Sequence, residues 1–130
     1  IDESYNSNPL SLKFAIKNFD SLHFKKKRKF LLLGDMLEMG KFSKLLHRKV
    51  AKIINKTSIN KVYVFGKDIK ETYYAISPQK RGKILSNINE IYNLIKNDLN
   101  NNDYLMIKGS NSTGLNKFVT KIKKERINAL

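Results

Sequence analysis

Three polar segments of this chain lie beside apolar runs and hold most of the side chains that could do chemistry. Residues 34–40, G-D-M-L-E-M-G, follow the apolar run 30–33. Residues 4–9, S-Y-N-S-N-P, precede a helical pattern, and residues 108–114, K-G-S-N-S-T-G, follow the apolar residues 104–107. A strand that ends in such a loop presents polar side chains and free backbone N–H groups at the carboxyl edge of a sheet, where open α/β folds bind ligands.

The first two segments offer groups that suit a nucleoside. The amides of Asn6 and Asn8 could read an adenine edge, and Pro9 fixes the path of the chain after them. The carboxylate of Asp35 could accept hydrogen bonds from ribose hydroxyls. Two simpler interpretations stay open, namely an Asn-rich turn that caps a helix and an Asp35 that caps the turn following it.

The third segment offers groups that suit a carboxylate. Lys108 brings a positive charge, and Gly109, Ser110 and Asn111 bring backbone N–H groups between a strand and a helix N-terminus. We therefore predict an anion-binding loop at residues 108–111. The simpler interpretation is a helix-capping loop with an exposed lysine.

Missing motifs narrow the chemistry further. The chain has no G-x-x-x-x-G-K-[ST] phosphate loop and no G-x-G-x-x-G dinucleotide turn, so we do not expect it to hold a nucleotide tightly by itself. With two histidines, no cysteine and no carboxylate cluster at ligand spacing, no metal site is predicted. His47 shares a helical face with Ser43, Val50 and Ile54 and is expected to be a core residue. No residue is predicted to be catalytic.

The composition fits one domain, residues 1–130, in a reducing compartment. No apolar run approaches the ~20 residues of a membrane span, and no membrane partner is expected. A net charge of +15 raises the alternative of a stand-alone α/β module that binds nucleic acid. Only four of the 26 basic residues are arginines, however, and the lysines are spread along the chain, so no specific nucleic-acid partner is expected.

Hydrophobic periods alternate between helix and strand. Helices are predicted to begin at Pro9, after an N-cap at Ser43, and after an N-cap at Asn87. Short apolar strands are predicted at residues 29–33, 62–65, 83–85 and 104–107. A short helix is predicted around residues 69–75, and one more helix follows the last strand. This alternation predicts an α/β fold with three layers, a Rossmann-like, mostly parallel sheet with helices on both faces. The three polar segments would then meet at one edge, together with Lys67.

The three segments, in this order, resemble the carboxy-terminal domain of the Mur ligases. The usual family pattern is D-D-S-Y-N-A-N-P, then L-G-D-M-L-E-L-G, a Leu-His-Arg helix start and K-G-S-R. This chain reads I-D-E-S-Y-N-S-N-P, L-G-D-M-L-E-M-G, Leu46-His47-Arg48 and K-G-S-N. The resemblance covers nearly the whole chain, and the G-D-M-L-E-[LM]-G string is typical of the branch that joins D-alanyl-D-alanine to UDP-N-acetylmuramoyl-tripeptide.

The resemblance implies a cytoplasmic, ATP-dependent and Mg²⁺-dependent ligase of peptidoglycan synthesis. In that family, a central ATPase domain and an amino-terminal UDP-binding domain complete the enzyme, and both would lie outside this chain. Asn6, Asn8 and Asp35 would then face the ATP nucleoside, and residues 108–111 would face the dipeptide. Asn111 stands where the family usually has arginine, so the guanidinium group is absent there and Lys108 would carry the positive charge alone. A non-catalytic paralogue that has kept the fold is a further alternative.

Overall fold

The computed structural model describes residues 2–3, 9–22, 27–36, 40–109 and 114–129. Within them, five strands form one sheet in the order β1-β5-β2-β3-β4, and every neighbouring pair is parallel. The strands are β1 (Asp2–Glu3), β2 (Lys29–Gly34), β3 (Lys61–Phe65), β4 (Arg81–Leu85) and β5 (Tyr104–Lys108). The predicted parallel α/β sheet is confirmed, with β1 as a short strand that hydrophobic periodicity did not indicate.

Helices cover both faces of this sheet. They are α1 (Pro9–Ser21), α2 (Ser43–Asn55), α3 (Lys70–Ala75), α4 (Ile88–Asn93) and α5 (Leu115–Ala129), and two 3₁₀ turns lie at Gly40–Phe42 and Pro78–Lys80. Helices α1 to α3 pack on one face with Leu31 and Leu33, whereas α4 and α5 pack on the other with Phe30 and Leu32. Alternate residues of β2 therefore enter opposite cores, which explains its continuous apolar run.

Two of the predicted helix starts are confirmed and one is wrong. Helix α1 begins at Pro9, and the side chain of Asn87 caps α4 by accepting a hydrogen bond from the Glu90 backbone at 2.9 Å. Ser43 is the first residue of α2 rather than its N-cap, because Phe42 occupies that position without a side-chain capping bond. Helix α4 also continues into a π-helical turn, Leu94–Asp98, that the periodicity did not indicate.

Candidate functional site

The parallel sheet brings the loops after β2, β3 and β5 to one carboxyl edge. Leu33 is in register with Lys108, and Gly34 is in register with Phe65, so these three strands end at nearly the same level. Asp35, Lys67 and Lys108 consequently lie along the same edge of the sheet, as the topology predicted. We call this region the carboxyl edge below.

Asp35 binds the backbone of the neighbouring loop. Its Oδ1 accepts a hydrogen bond from the Ile69 N–H at 2.8 Å, and its Oδ2 accepts one from the Lys67 N–H at 3.1 Å. Gly66 has φ +145°, and a Cβ built there would lie 2.5 Å from Asp35 Oδ1. Glycine thus leaves the room that the carboxylate occupies. These hydrogen bonds go to the β3–α3 loop, whereas the sequence had suggested a cap on the turn after Asp35 itself.

His47 holds the loop that follows β2. The side chain is fully buried, and its Nε2 accepts a hydrogen bond from the Met36 N–H at 3.0 Å. The ring proton must therefore be on Nδ1, which donates to the Ser43 carbonyl oxygen at 2.7 Å. Both ring nitrogens are engaged with backbone, so this buried histidine also positions the loop.

Further contacts join α2 to α3 behind these loops. The Ser43 hydroxyl donates to Asp68 Oδ2 at 2.8 Å, and the Thr72 hydroxyl donates to the His47 carbonyl oxygen. Arg48 and Glu71 form an ion pair at 3.0 Å on the surface. Together with the contacts of Asp35, these bonds fix the loops after β2 and β3 relative to one another. The result is a rigid platform on one side of the carboxyl edge.

Lys108 is buried, with only 3% of its surface exposed, at the last position of β5. Gly109 after it is buried as well. The interpretation of this segment as a capping loop with an exposed lysine is therefore wrong for Lys108. Lysine is rarely buried unless its charge is matched. A fixed ammonium group in this position can act on an anion more strongly than one on a solvated surface, because the local dielectric constant is lower.

Four predicted site residues lie outside the described residues, namely Asn6, Asn8, Ser110 and Asn111. Their roles stay predictions. Of the seven predicted site residues, the structure thus brings Asp35, Lys108 and Gly109 together at the carboxyl edge. Burial of Lys108 had no local signal in the sequence. The link between Asp35 and Gly66 had only the weak signal of a glycine directly after an apolar strand.

A cavity of about 640 Å³ lies elsewhere, along the outer edge of β4. It is lined by Lys83 of that strand, by Tyr73 of α3 and by polar residues of α4 and its π-helical turn, among them Asn97 and Asp98. None of the predicted site residues lines it.

The part of the chain that the structure describes holds no group of three metal-binding side chains. No described helix is long and apolar enough to cross a membrane.

Comparison with known proteins places this fold in a family. A family model described as "Mur ligase, glutamate ligase domain" matches residues 1–111. The UDP-N-acetylmuramoyl-tripeptide--D-alanyl-D-alanine ligase of Buchnera aphidicola subsp. Baizongia pistaciae is 33% identical over 127 residues, covering 96% of this chain and 26% of that protein. The protein of the same name from Bacillus subtilis is 29% identical over 122 residues, covering 92% of this chain and 26% of that protein. The chain thus spans about a quarter of the length of these relatives.

Solved structures have the same fold. The MurF ligase from Thermotoga maritima, crystallised in complex with ADP, superposes with a TM-score of 0.75 at 20% identity, covering 98% of this chain and 28% of that one. A MurF structure from Acinetobacter baumannii gives a TM-score of 0.74 at 17% identity, covering 93% of this chain and 27% of that one. At these identities the likeness concerns the fold alone.

Proposed function

The chain belongs to the Mur ligase family as its glutamate ligase domain, and from this premise we propose that it works within a longer, ATP-dependent ligase. That enzyme would join D-alanyl-D-alanine to UDP-N-acetylmuramoyl-tripeptide in the cytoplasm, during peptidoglycan synthesis. The observation that carries the proposal is the carboxyl edge, where a buried Lys108 lies beside a platform fixed by Asp35. The names of the curated relatives support the choice of substrates.

The proposed reaction forms one amide bond. The terminal phosphate of ATP passes to the tripeptide carboxylate, which gives an acyl phosphate and ADP. The amine of D-alanyl-D-alanine then attacks the acyl carbon, the amide bond forms, and inorganic phosphate leaves with the electrons of the C–O bond. We assign phosphoryl transfer and its Mg²⁺ to the domains that this chain does not contain, since the chain has no phosphate loop.

The role proposed for this domain is positioning. Lys108, Gly109, Ser110 and Asn111 would hold the dipeptide carboxylate, so that the amine at the other end of the dipeptide points toward the acyl phosphate. Orientation of two reactants is a large part of catalysis in such a step, and exclusion of water protects the acyl phosphate from hydrolysis. With Asn111 in place of arginine, Lys108 would supply the positive charge.

The nucleoside side of the site would lie across the same edge. We propose that Asn6 and Asn8 contact the adenine or ribose of ATP, and that Asp35 acts there mainly through the loop it holds. Each carboxylate oxygen of Asp35 already accepts a backbone N–H, although each retains a second lone pair for a ribose hydroxyl. A loss of Asp35 would thus weaken the ATP side by moving the loop as well as by removing a contact.

The experiment that tests this function is an assay of the longer protein that contains this chain. Phosphate release should require ATP, UDP-N-acetylmuramoyl-tripeptide and D-alanyl-D-alanine together, and mass spectrometry should find the pentapeptide product. The C-terminal amide of D-alanyl-D-alanine, which keeps the amine but lacks the carboxylate, should be a much poorer substrate. Equal turnover of the dipeptide and its amide would refute the proposed role of the carboxyl edge, and turnover without any dipeptide would refute the ligase function itself.

A further inference from the structure

Large apolar side chains that face solvent are concentrated on one side of the molecule. Among the described residues, six of the seven belong to the layer of α1, α2 and α3 or to its connections: Leu10, Phe14, Leu22, Phe42, Leu45 and Tyr74. The most exposed of the phenylalanines, Phe14 and Phe42, have relative exposures of 57% and 55%. The seventh, Ile88, lies at the start of α4 on the other face.

Helix α1 has two exposed apolar residues, Leu10 and Phe14, and two more, Phe42 and Leu45, lie near the start of α2. All four point away from the core. Leu10 and Phe14 are four residues apart on one helix, and the core face of that helix is formed by Leu12, Ile16 and Phe19 instead. Helices α1 and α2 are neighbours on the sheet, and both begin at the carboxyl edge. We call the exposed residues of α1, α2 and α3, with the turn before α2, the outer helical face.

The charge exposed on the outer helical face is almost wholly positive. Its exposed lysines are Lys13, Lys17, Lys41, Lys44, Lys49, Lys52 and Lys70. The carboxylates of the same layer are fewer: Glu71 pairs with Arg48, while Asp20 and Asp68 accept hydrogen bonds from Ser58 and Ser43 and keep their negative charge. The outer helical face therefore presents apolar side chains with lysines between them.

We propose that the outer helical face docks on the surface of an anionic lipid bilayer. Phenylalanine and leucine side chains can enter the boundary between headgroups and acyl chains, while lysines interact with the headgroup phosphates and keep their stems along the apolar surface. Each lysine close to an anionic membrane adds favourable electrostatic energy. The contact needs no spanning helix, and it differs from the expectation, based on the absence of an apolar run, that the chain has no membrane partner.

The arrangement of the face favours a lipid surface over a protein partner. Protein interfaces place their strongest anchors in well-packed pockets near the centre of the contact. Here the apolar side chains are spread over three neighbouring helices. A fluid bilayer can adapt to scattered side chains, and its negative potential matches a face whose exposed charges are mostly positive.

Vesicle binding by this chain tests the proposal. Sedimentation with vesicles of phosphatidylcholine alone is compared with sedimentation with vesicles that contain about 30% phosphatidylglycerol, at about 0.15 M salt. The double variant Phe14→Ser/Phe42→Ser removes two apolar anchors, and Ile88→Ser removes an exposed apolar side chain from the other face. Lys13→Gln/Lys44→Gln and Lys96→Gln/Lys117→Gln lower the net charge equally, the second pair on the α4–α5 side. Circular dichroism checks that each variant is folded.

The expected result is binding to the anionic vesicles only. Phe14→Ser/Phe42→Ser and Lys13→Gln/Lys44→Gln should each weaken the partition coefficient about tenfold, whereas Ile88→Ser and Lys96→Gln/Lys117→Gln should change it by about twofold or less. Equal losses from the two lysine pairs, without an effect of the serine variants, would mean that net charge alone binds the vesicles and would overturn the proposal.

Two other outcomes would overturn the proposal by assigning the face a different occupant. A dimer in analytical ultracentrifugation that Phe14→Ser/Phe42→Ser abolishes, together with no vesicle binding, would make it an interface between copies of this chain. Binding by this chain that disappears in the longer ligase would mean that the rest of the enzyme covers the face. These experiments do not depend on ligase activity, so the proposed function can stand or fall separately.

Discussion

Asp35 joins two loops that are far apart in the sequence, and this is the feature on which the platform at the carboxyl edge depends. Its partners, Lys67 and Ile69, lie 32 and 34 residues further along the chain. The carboxylate is acceptor-only and takes one backbone N–H on each of its two oxygens, whereas the asparagine side chain has a single acceptor oxygen. The space for it is created by Gly66.

We expect Asp35→Asn to lower the free energy of unfolding by about 1.5–3 kcal/mol, because one backbone N–H would then face the amide NH₂ rather than an acceptor. Urea unfolding followed by circular dichroism measures this. Asp98→Asn is the matched control, since its ion pair with Lys83 spans 3.7 Å between a partly exposed carboxylate and an exposed ammonium group and should be worth no more than about 1 kcal/mol. Equal losses for both variants would contradict the linking role of Asp35.

Gly66→Ala should destabilise the protein, because the new Cβ would collide with the Asp35 carboxylate in a backbone conformation with positive φ. Part of the stability lost in Gly66→Ala is due to this collision, and that part should be absent when Asp35 is replaced by alanine. In a double-mutant cycle with Asp35→Ala, the two losses should therefore be less than additive. Strict additivity would indicate that strain at Gly66 is independent of Asp35.

His47→Leu should free the Met36 amide while approximately preserving the volume of the buried side chain. The loss of an acceptor for a buried N–H costs about 1–3 kcal/mol, and the effect is local to the loop after β2. Amide hydrogen exchange is measured by NMR in the variant and in the unsubstituted protein. The substitution should accelerate exchange more at Met36 than at the centre of α2. Unchanged protection at Met36 would show that the histidine is only a core residue.

At the scale of the elements, polar contacts also tie the opposite, amino edge of the sheet. Lys29 Nζ donates to the Asp20 carbonyl oxygen at the end of α1, and Ser58 donates to the Asp20 carboxylate through both its N–H and its hydroxyl. Arg28 pairs with Asp103 at 2.7 Å before β5. These contacts lie away from the proposed site, so their role is to hold α1 and the strand entrances in place.

Acid should weaken the amino edge in a defined range of pH. Burial alone would raise the pKa of Asp20, but hydrogen bonds from Ser58 and the charges of Lys29 and Lys80 outweigh it and bring that pKa below its ordinary value of 3.8. A carboxyl group whose pKa is lowered by folding stabilises the protein above the unfolded pKa, and this contribution is lost as the pH falls through the folded pKa. The stabilisation from Asp20 should thus be complete near neutral pH and disappear below about pH 4.

Urea unfolding at a series of pH values between about 7 and 2 measures this loss. Asp20→Asn should flatten the acid limb of the stability curve, and Ser58→Ala, which removes only the hydroxyl bond, should have an intermediate effect. Stability of Asp20→Asn that falls with acid as steeply as that of the natural protein would contradict the assignment to this carboxyl group.

At the scale of the whole molecule, the features that the sequence predicted are those that depend on residues close together in the chain. The apolar runs of β2, β3 and β5 indicated buried parallel strands, and parallel strands necessarily bring their following loops to one edge. The two-residue β1 was beyond reach, because so short a segment has no period and pairs only through β5. The π-helical turn Leu94–Asp98 was missed for a related reason: a single wide turn hardly changes a helical pattern.

The site was predictable only in part, because its key contacts are non-local. That Asp35 would face the carboxyl edge followed from its place after β2, but its partners depend on how the β3–α3 loop folds. Burial of Lys108 depends on its place between β1 and β2, where Glu3 and Leu33 are its register partners. The spacing of residues along the chain indicates neither the partners of Asp35 nor the burial of Lys108. For Lys108, the usual preference of lysine for the surface predicted exposure instead.

The central claim is that Lys108 binds the carboxylate of the incoming dipeptide. Steady-state kinetics of the longer ligase, with each substrate varied in turn, measures this in Lys108→Met and in Lys29→Met. Both variants remove a buried ammonium group from a strand of the same sheet, and Lys29 lies at the opposite edge. We predict that Lys108→Met lowers kcat/KM for D-alanyl-D-alanine about ten- to a hundredfold, the equivalent of about 1.5–3 kcal/mol, chiefly through KM. Lys29→Met should leave that KM unchanged. Equal, small effects of Lys108→Met on all three substrates would contradict the claim.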